Sequence, residues 1–170
     1  MHLTTEAGRT LYGRMTPPPF HRFLDEHREA VFRFLVATVG PNEADDVFQE
    51  TFIKALRAYP RLDRADNLRA WVLTIARRAA IDAARARRRR PEPAADPEPP
   101  AVDGTPELGD PSLWRAVRGL PPRQRAAVTL RYVNDLSYAE AGRIIGCSEE
   151  AARRSAFEGL RRLREVWDGR

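Results

Sequence analysis

Apolar residues recur along this chain at three- and four-residue intervals, in runs separated by proline- and glycine-containing breaks. Phe20, Phe23, Leu24, Val31, Phe34 and Leu35 make the first stripe, a pattern that predicts an amphipathic helix ended by Gly40 and Pro41. A second helix follows, with Ala44, Val47, Phe48, Thr51, Phe52, Ala55 and Leu56 as its buried stripe and Asp45, Asp46, Gln49, Glu50 and Ile53 on the remaining faces. After Tyr59-Pro60 and a polar loop to Asn67, a long helix carries Leu68, Trp71, Val72, Ile75, Ala79, Ala83 and Ala86 on one stripe. Further on, Trp114, Val117 and Leu120, then Val128, Leu130, Tyr132 and Val133, predict two helices broken at Pro121-Pro122.

The end of the chain carries sharper local chemistry. Ser137 and Glu140 are spaced as a capping box, opening a short helix through Ala141, Ile144 and Ile145. Gly146 is placed to end that helix in a left-handed conformation, and Ser148 can cap the next, from Glu149 to about Val166. Helix, three-residue turn, helix is the layout in which the second helix enters the major groove of DNA. On it, Ala152, Ala156, Gly159, Leu160 and Leu163 face inward, leaving Glu150, Arg153, Arg154, Phe157, Glu158 and Arg161 outward. Arg153 and Arg154 are the best readers of bases or phosphates, while Phe157 is open to two readings, a contact to a thymine methyl group or a core aromatic. Cys147 reads as a small hydrophobe of the turn.

Charge divides the chain into blocks. Residues 1 to 90 hold 17 basic and 11 acidic side chains, residues 113 to 170 hold 12 and 7, and residues 91 to 112 hold six carboxylates, seven prolines and no base. Such a middle stretch repels itself and lacks backbone donors, so it reads as an extended tether between two small helical modules, each with a limited core of its own. Between residues 77 and 90 stand seven arginines against one acid, a spacing able to follow a phosphate backbone. A sequence pI near 10.1 also points to an anionic partner, although 28 of the 29 basic residues are arginine, as a GC-rich genome would also produce.

Several classes are disfavoured. The single Cys147 permits no intrachain disulfide, and His2, His21 and His27 do not cluster with carboxylates at metal-ligand spacing. No glycine-rich phosphate loop or nucleophile elbow appears, so neither a catalytic site nor a cofactor is expected. Residues 1 to 19 lack an apolar signal segment, and nowhere do 18 apolar residues run together; a cytoplasmic chain without membrane insertion is expected.

The segments Glu43-Ala-Asp-Asp-Val-Phe-Gln-Glu-Thr-Phe-Ile-Lys-Ala55, Leu68-Arg-Ala-Trp-Val-Leu-Thr-Ile-Ala-Arg77, Leu120-Pro-Pro-Arg-Gln-Arg125, Leu130-Arg-Tyr-Val133 and Leu136-Ser-Tyr-Ala-Glu140 together resemble bacterial RNA polymerase sigma factors of the short, extracytoplasmic-function type. The resemblance implies an all-α chain: a disordered tail over residues 1 to 19, a region 2 helical bundle over 20 to 90, a flexible acidic linker over 91 to 112, and a region 4 helix-turn-helix over 113 to 170. It implies docking on the β′ clamp of core polymerase by Asp45, Asp46, Gln49, Glu50 and Ile53. Engagement of the minus-ten element falls to Tyr59, Asn67, Arg77, Arg78, Asp82 and Arg85. Region 4 would hold the β flap and read the minus-thirty-five element through Ser148, Glu150, Arg153, Arg154, Phe157 and Arg161. An anti-sigma partner is implied as well. A tether of 22 residues at about 3.1 Å each reaches about 68 Å, enough to bridge elements on the order of 20 base pairs apart. A helix-turn-helix regulator acting without polymerase is the rival reading, and it leaves the acidic face of the second helix without a role.

Overall fold

The computed structural model describes residues 16–63, 66–89 and 110–168, and over these the chain is built from helices and short turns. Residues 1–15 of the tail expected over 1–19, Arg90, and residues 91–109 of the tether expected over 91–112 lie outside the described residues, while the last tether positions, from Asp110, already belong to the cap and first turn of a helix.

The first module is a three-helix unit. Helix α1 (Phe20–Val39) ends where the Gly40 N–H donates to Val36 O at 3.1 Å, and Gly40 turns the corner at φ +92°. That angle strains any side chain, and Pro41 then starts α2 (Pro41–Ala58) with its φ already helical. A single 3₁₀ turn, Tyr59–Arg61, leads toward α3 (Leu68–Arg89). Fully buried Phe23, Val31, Phe34, Leu35, Val72 and Leu73 fill the space between the three helices. Around Phe23 stand Tyr59, Trp71 and His27 with ring centroids 5.0, 5.6 and 5.1 Å away. Two positions of the expected stripes are exposed instead. Leu56 turns outward at the end of α2, where Ala55 faces the core in its place, and Ala86 sits past Ala80, the last buried position of α3.

The second module begins with α4 (Pro111–Gly119), whose N-terminus is capped by the Asp110 carboxylate accepting from Ser112 N at 2.8 Å. Helix α5 (Pro122–Val128) runs into a π-helical turn, Thr129–Val133, and Asp135 at φ +52° redirects the chain. Both halves of the Ser137–Glu140 capping box form at the start of α6 (Tyr138–Ile145), and Gly146 closes that helix at φ +81°. Ser148 Oγ then accepts from Ala151 N at 3.2 Å at the head of α7 (Glu149–Asp168). Gly142 lets this turn close: a Cβ there would lie 2.8 Å from the Cys147 carbonyl oxygen.

The modules are packed against each other. Helix α6 lies on α3, and the π turn and α4 lie on α1, so that the buried apolar residues of both modules join in one cluster. Two cores of their own were expected; the packing merges them, because α3 offers small residues, among them Ala80 and Ala84, between its arginines. The boundary is pinned by polar contacts. Asn134, 2% exposed, donates from Nδ2 to Ala30 O at 2.8 Å, and its backbone carbonyl oxygen accepts from Arg69 Nη2 at 2.5 Å. Arg125 Nη1 donates to Thr38 O at 2.9 Å and Nη2 to Leu120 O at 3.1 Å.

His27 is buried at the edge of this boundary. Burial, above all, holds its imidazole below the usual 6.5; Glu26 opposes that lowering and Arg69 adds to it. The unfolded chain therefore takes up this proton first, so stability is intact above pH 6.5 and declines as the pH falls below it. Urea unfolding at pH 7.5 and 5.5 should show a smaller acid-induced loss for His27→Gln than for the unaltered chain; equal losses would mean that His27 stays protonated or unburied in the fold.

Candidate protein and nucleic-acid interfaces

Three surfaces emerge from this packing. The first is the outer face of α2, where Asp45, Asp46, Gln49, Glu50 and Ile53 are all exposed, because Ala44, Val47, Thr51 and Ala55 turn the opposite side of the helix into the core. Thr51 Oγ1 returns its proton to Val47 O at 2.7 Å, so a hydroxyl is buried there without loss. At the flank, Glu50 pairs with Lys54 at 3.3 Å, and Lys54 also reaches Asp82 of α3 at 3.7 Å. Glu43 pairs with Arg87 at 2.5 Å. A convex strip of acids with a 45% exposed isoleucine at its end suits a basic protein surface better than a phosphate backbone.

The second surface is α3 with the turn before it. Here the sequence-derived set divides. Tyr59 is part of the core wall: its hydroxyl donates to Pro18 O at 2.6 Å, and its ring meets Phe20 edge-on at 5.1 Å. Asn67 caps α3, with Oδ1 accepting from Ala70 N at 2.9 Å. Arg78, Asp82 and Arg85 are exposed, whereas Arg77 is half-buried. Arg77 and Arg85, with Arg88 and Arg125, line a cleft of about 350 Å³ between α3 and α5, floored by apolar residues such as Phe34 and Ile81. Burial lowers the guanidinium pKa of Arg77; Cys147 opposes this, and Arg123 and Arg78 add to it. Arg125 is lowered too, first by burial and then by Arg87, Arg88 and Arg118. Positive charge is thus concentrated at a seam between the modules.

The third surface is the exposed side of α7. Ser148, Glu150, Arg153, Arg154, Phe157 and Arg161 are together on it, and Phe157, 68% exposed, is excluded from the core. Ala152, Ala156 and Gly159 are buried against α5 and α6, with no room at Gly159 for a Cβ, which would sit 2.8 Å from Val128 Cγ2. Glu158 turns aside, accepting from Gln124 Nε2 at 3.1 Å. The Glu150 carboxyl is held below the usual carboxylate range, first by its backbone N–H at the helix start and then by the Ser148 hydroxyl. Arg153 Nη2 meets Glu149 Oε1 at 2.9 Å, and Arg161 lies 3.8 Å from Glu165. Arg69, Arg125 and Asn134 at the seam, and Tyr138 and Arg131 beside α7, were not among the expected site residues, although all but Asn134 stand in the quoted motifs. Their roles come from tertiary neighbours that no local spacing announces.

Among the described residues no group of three His, Cys, Asp or Glu side chains could hold a metal ion, and no helix is long and apolar enough to cross a membrane.

Comparison with known proteins places both modules. The family model Sigma-70 region 2 matches residues 23–90, and Sigma-70, region 4 matches residues 111–163. Over 154 residues the chain is 33% identical to the ECF RNA polymerase sigma factor BldN of Streptomyces coelicolor, covering 85% of this chain and 58% of that protein. It is 35% identical to the RNA polymerase sigma factor CarQ of Myxococcus xanthus, covering 86% of this chain and 88% of the relative. The fold is similar to that of the sigma factor RpoE in its co-crystal structure with the anti-sigma factor NepR from Bartonella quintana, with a TM-score of 0.70, 26% identity, and 88% and 96% of the two chains covered.

The exposed arginines at the end of α3 generate a salt-dependence prediction. Replacing Arg85 and Arg88 together by alanine should lower the slope of log affinity against log salt for duplex DNA by about 0.9 per phosphate contact removed. An unchanged slope in a fluorescence-anisotropy titration would remove both residues from the DNA-binding surface.

Proposed function

The chain belongs to the sigma-70 family of RNA polymerase sigma factors, in its extracytoplasmic-function branch, and from that we propose that it binds core RNA polymerase and directs initiation at promoters whose minus-thirty-five and minus-ten elements it reads. The observation that carries this reading is the coexistence, on one chain, of an exposed acidic α2 face, a basic α3 and an outward-facing basic and aromatic side of α7. A regulator that needed only DNA would have use for the second and third of these surfaces and none for the first.

The roles follow residue by residue. Residues 20 to 90 form the polymerase-binding and minus-ten module, and residues 113 to 170 the minus-thirty-five module. Asp45, Asp46, Gln49, Glu50 and Ile53 dock on the clamp of core polymerase. Arg77, Arg78, Asp82 and Arg85 engage the minus-ten region as it opens, with Tyr59 and Asn67 shaping the turn beside it. Ser148, Glu150, Arg153, Arg154, Phe157 and Arg161 face the upstream element. The chain supplies recognition and no bond chemistry of its own, and it works in the cytoplasm, where polymerase and promoters meet. An anti-sigma factor is its proposed inhibitory partner, on the footing that the similar sigma factor RpoE is held by one.

Reading two separated elements requires the modules to part. In the packed arrangement, Arg77 and Arg85 line a cleft walled by Pro122 and Arg125 of the second module, so the minus-ten surface is partly covered. Core polymerase, by taking the α2 face and the second module at different places, pays for that opening.

Three outcomes test the reading. Transcription assays with core polymerase should give promoter-dependent transcripts only when this protein is added; tight promoter binding by the protein alone, with no initiation, would favour the polymerase-independent regulator. Asp46→Arg and Gln49→Ala should each weaken core binding by more than about 1 kcal/mol while the melting temperature stays unchanged; full core affinity in both would refute clamp docking. Asn134→Ala should weaken module packing by about 1 kcal/mol through loss of the Nδ2 bond to Ala30 O, and so tighten apparent core affinity. Unaltered or weaker core affinity in a competition assay would show that the packed state does not compete with polymerase.

A further inference from the structure

The ring of Tyr138, the first residue of α6, lies between two guanidinium groups. Arg153 of α7 places its Cζ 5.4 Å from the ring centroid, and Arg131 of the π turn places its Cζ 5.6 Å from the same ring. Both are within the range at which a cation is attracted by the ring quadrupole. The ring is itself fixed: the Tyr138 and Tyr132 hydroxyl oxygens are 3.3 Å apart, and the Arg131 Cζ is 5.8 Å from the Tyr132 ring centroid. Arg131 is tied in turn to the Asp135 carboxylate and to Leu136 O, each at 3.4 Å.

Arg153 is the member of this cluster that stands on the recognition side of α7. An exposed arginine ordinarily samples many rotamers, and each must be given up when its fork meets a base edge. Here two contacts have already restricted it. Glu149 Oε1 holds Nη2 at 2.9 Å and Tyr138 faces the guanidinium, yet the side chain remains 61% exposed, so that the rest of the fork faces solvent. Arg154, next in sequence, is exposed and points elsewhere on the helix.

We propose that Tyr138 is a positioning residue for reading the upstream promoter element: its ring holds Arg153 in the orientation that meets a base, so that sequence preference at that base depends on a side chain outside the recognition helix. The inference rests on the assignment of α7 as the reading helix. The competing role for a residue at the head of the first helix of a helix-turn-helix is a phosphate contact, which would carry no sequence information.

The two roles separate in a base-by-base scan. The protein bound to core polymerase is measured against a set of promoters in which each pair of the upstream element is replaced in turn. Arg153→Ala should abolish discrimination at one or two adjacent pairs. Tyr138→Leu should reduce discrimination at those same pairs by about two- to fivefold, the range of an exposed cation–π contact, and leave the others unchanged. Tyr138→Phe, which keeps the ring, should stay near the unaltered protein, and Tyr138→Leu combined with Arg153→Ala should add nothing to Arg153→Ala. A uniform loss across all promoters in Tyr138→Leu would overturn the proposal in favour of a phosphate contact. So would a loss in Tyr138→Phe equal to that in Tyr138→Leu, because the hydroxyl would then be the acting group. No base-specific effect of Arg153→Ala would also overturn it; retained base-specific effects of Arg154→Ala would show that α7 still reads DNA, and their absence as well would remove the reading helix itself.

Discussion

The arrangement of this molecule depends on the double use of α3, whose apolar side closes the first module and whose flank of alanines and arginines receives the second. Leu68, Val72, Leu73, Ala76 and Ala79 are buried and hold the helix to α1 and α2. Arg69 and Arg77 lie toward the second module, and from Arg85 to Arg89 the helix is exposed. Because no stretch of one helix can face core, partner module and phosphate at once, these uses must be divided either along its length or in time. Position divides the first two. The minus-ten role proposed for α3 would require the third to be separated in time, through opening.

The seam is suited to being opened. Its specific contacts run from side chains to backbone carbonyls: Asn134 to Ala30, Arg69 to Asn134 and Arg125 to Thr38. Each such bond contributes on the order of 1 kcal/mol net, because water satisfies the same groups once the modules part. Asn134 Oδ1 and Arg125 Nε are buried with no hydrogen-bond partner in the packed state, which further limits what closing gains. A polymerase that binds the open form about 10⁴-fold better would carry the population from almost wholly closed to almost wholly open. That is within reach of a partner that grips both modules.

Much of the fold was legible in the sequence, for a local reason. Gly40-Pro41, Pro121-Pro122, the Ser137–Glu140 box and Gly146 each set a boundary through their own backbone chemistry, and each boundary stands where that chemistry puts it. The acidic face of α2 and the outward face of α7 followed equally from helical periodicity. What escaped is tertiary. Nothing in the spacing of these residues tells that Asn134 meets Arg69, or Arg125 meets Thr38, across a seam, and Tyr59 and Asn67, read as minus-ten contacts, use their polar atoms on Pro18 O and Ala70 N. Phe157 shows the same limit in the other direction: periodicity left it between core and surface, and the packing of Ala152, Ala156 and Gly159 against α5 and α6 leaves it in solvent.

If the seam opens when core polymerase binds, the distance across it must grow. Glu29 of α1 and Val133 of the π turn line the same hollow between the modules. Nitroxide labels on Glu29→Cys and Val133→Cys, in a chain carrying Cys147→Ser, should show strong dipolar broadening in the free protein and lose it when core polymerase and promoter DNA are added. Broadening that persists in a complex active in transcription would rule out opening, because the modules would then read the promoter without parting.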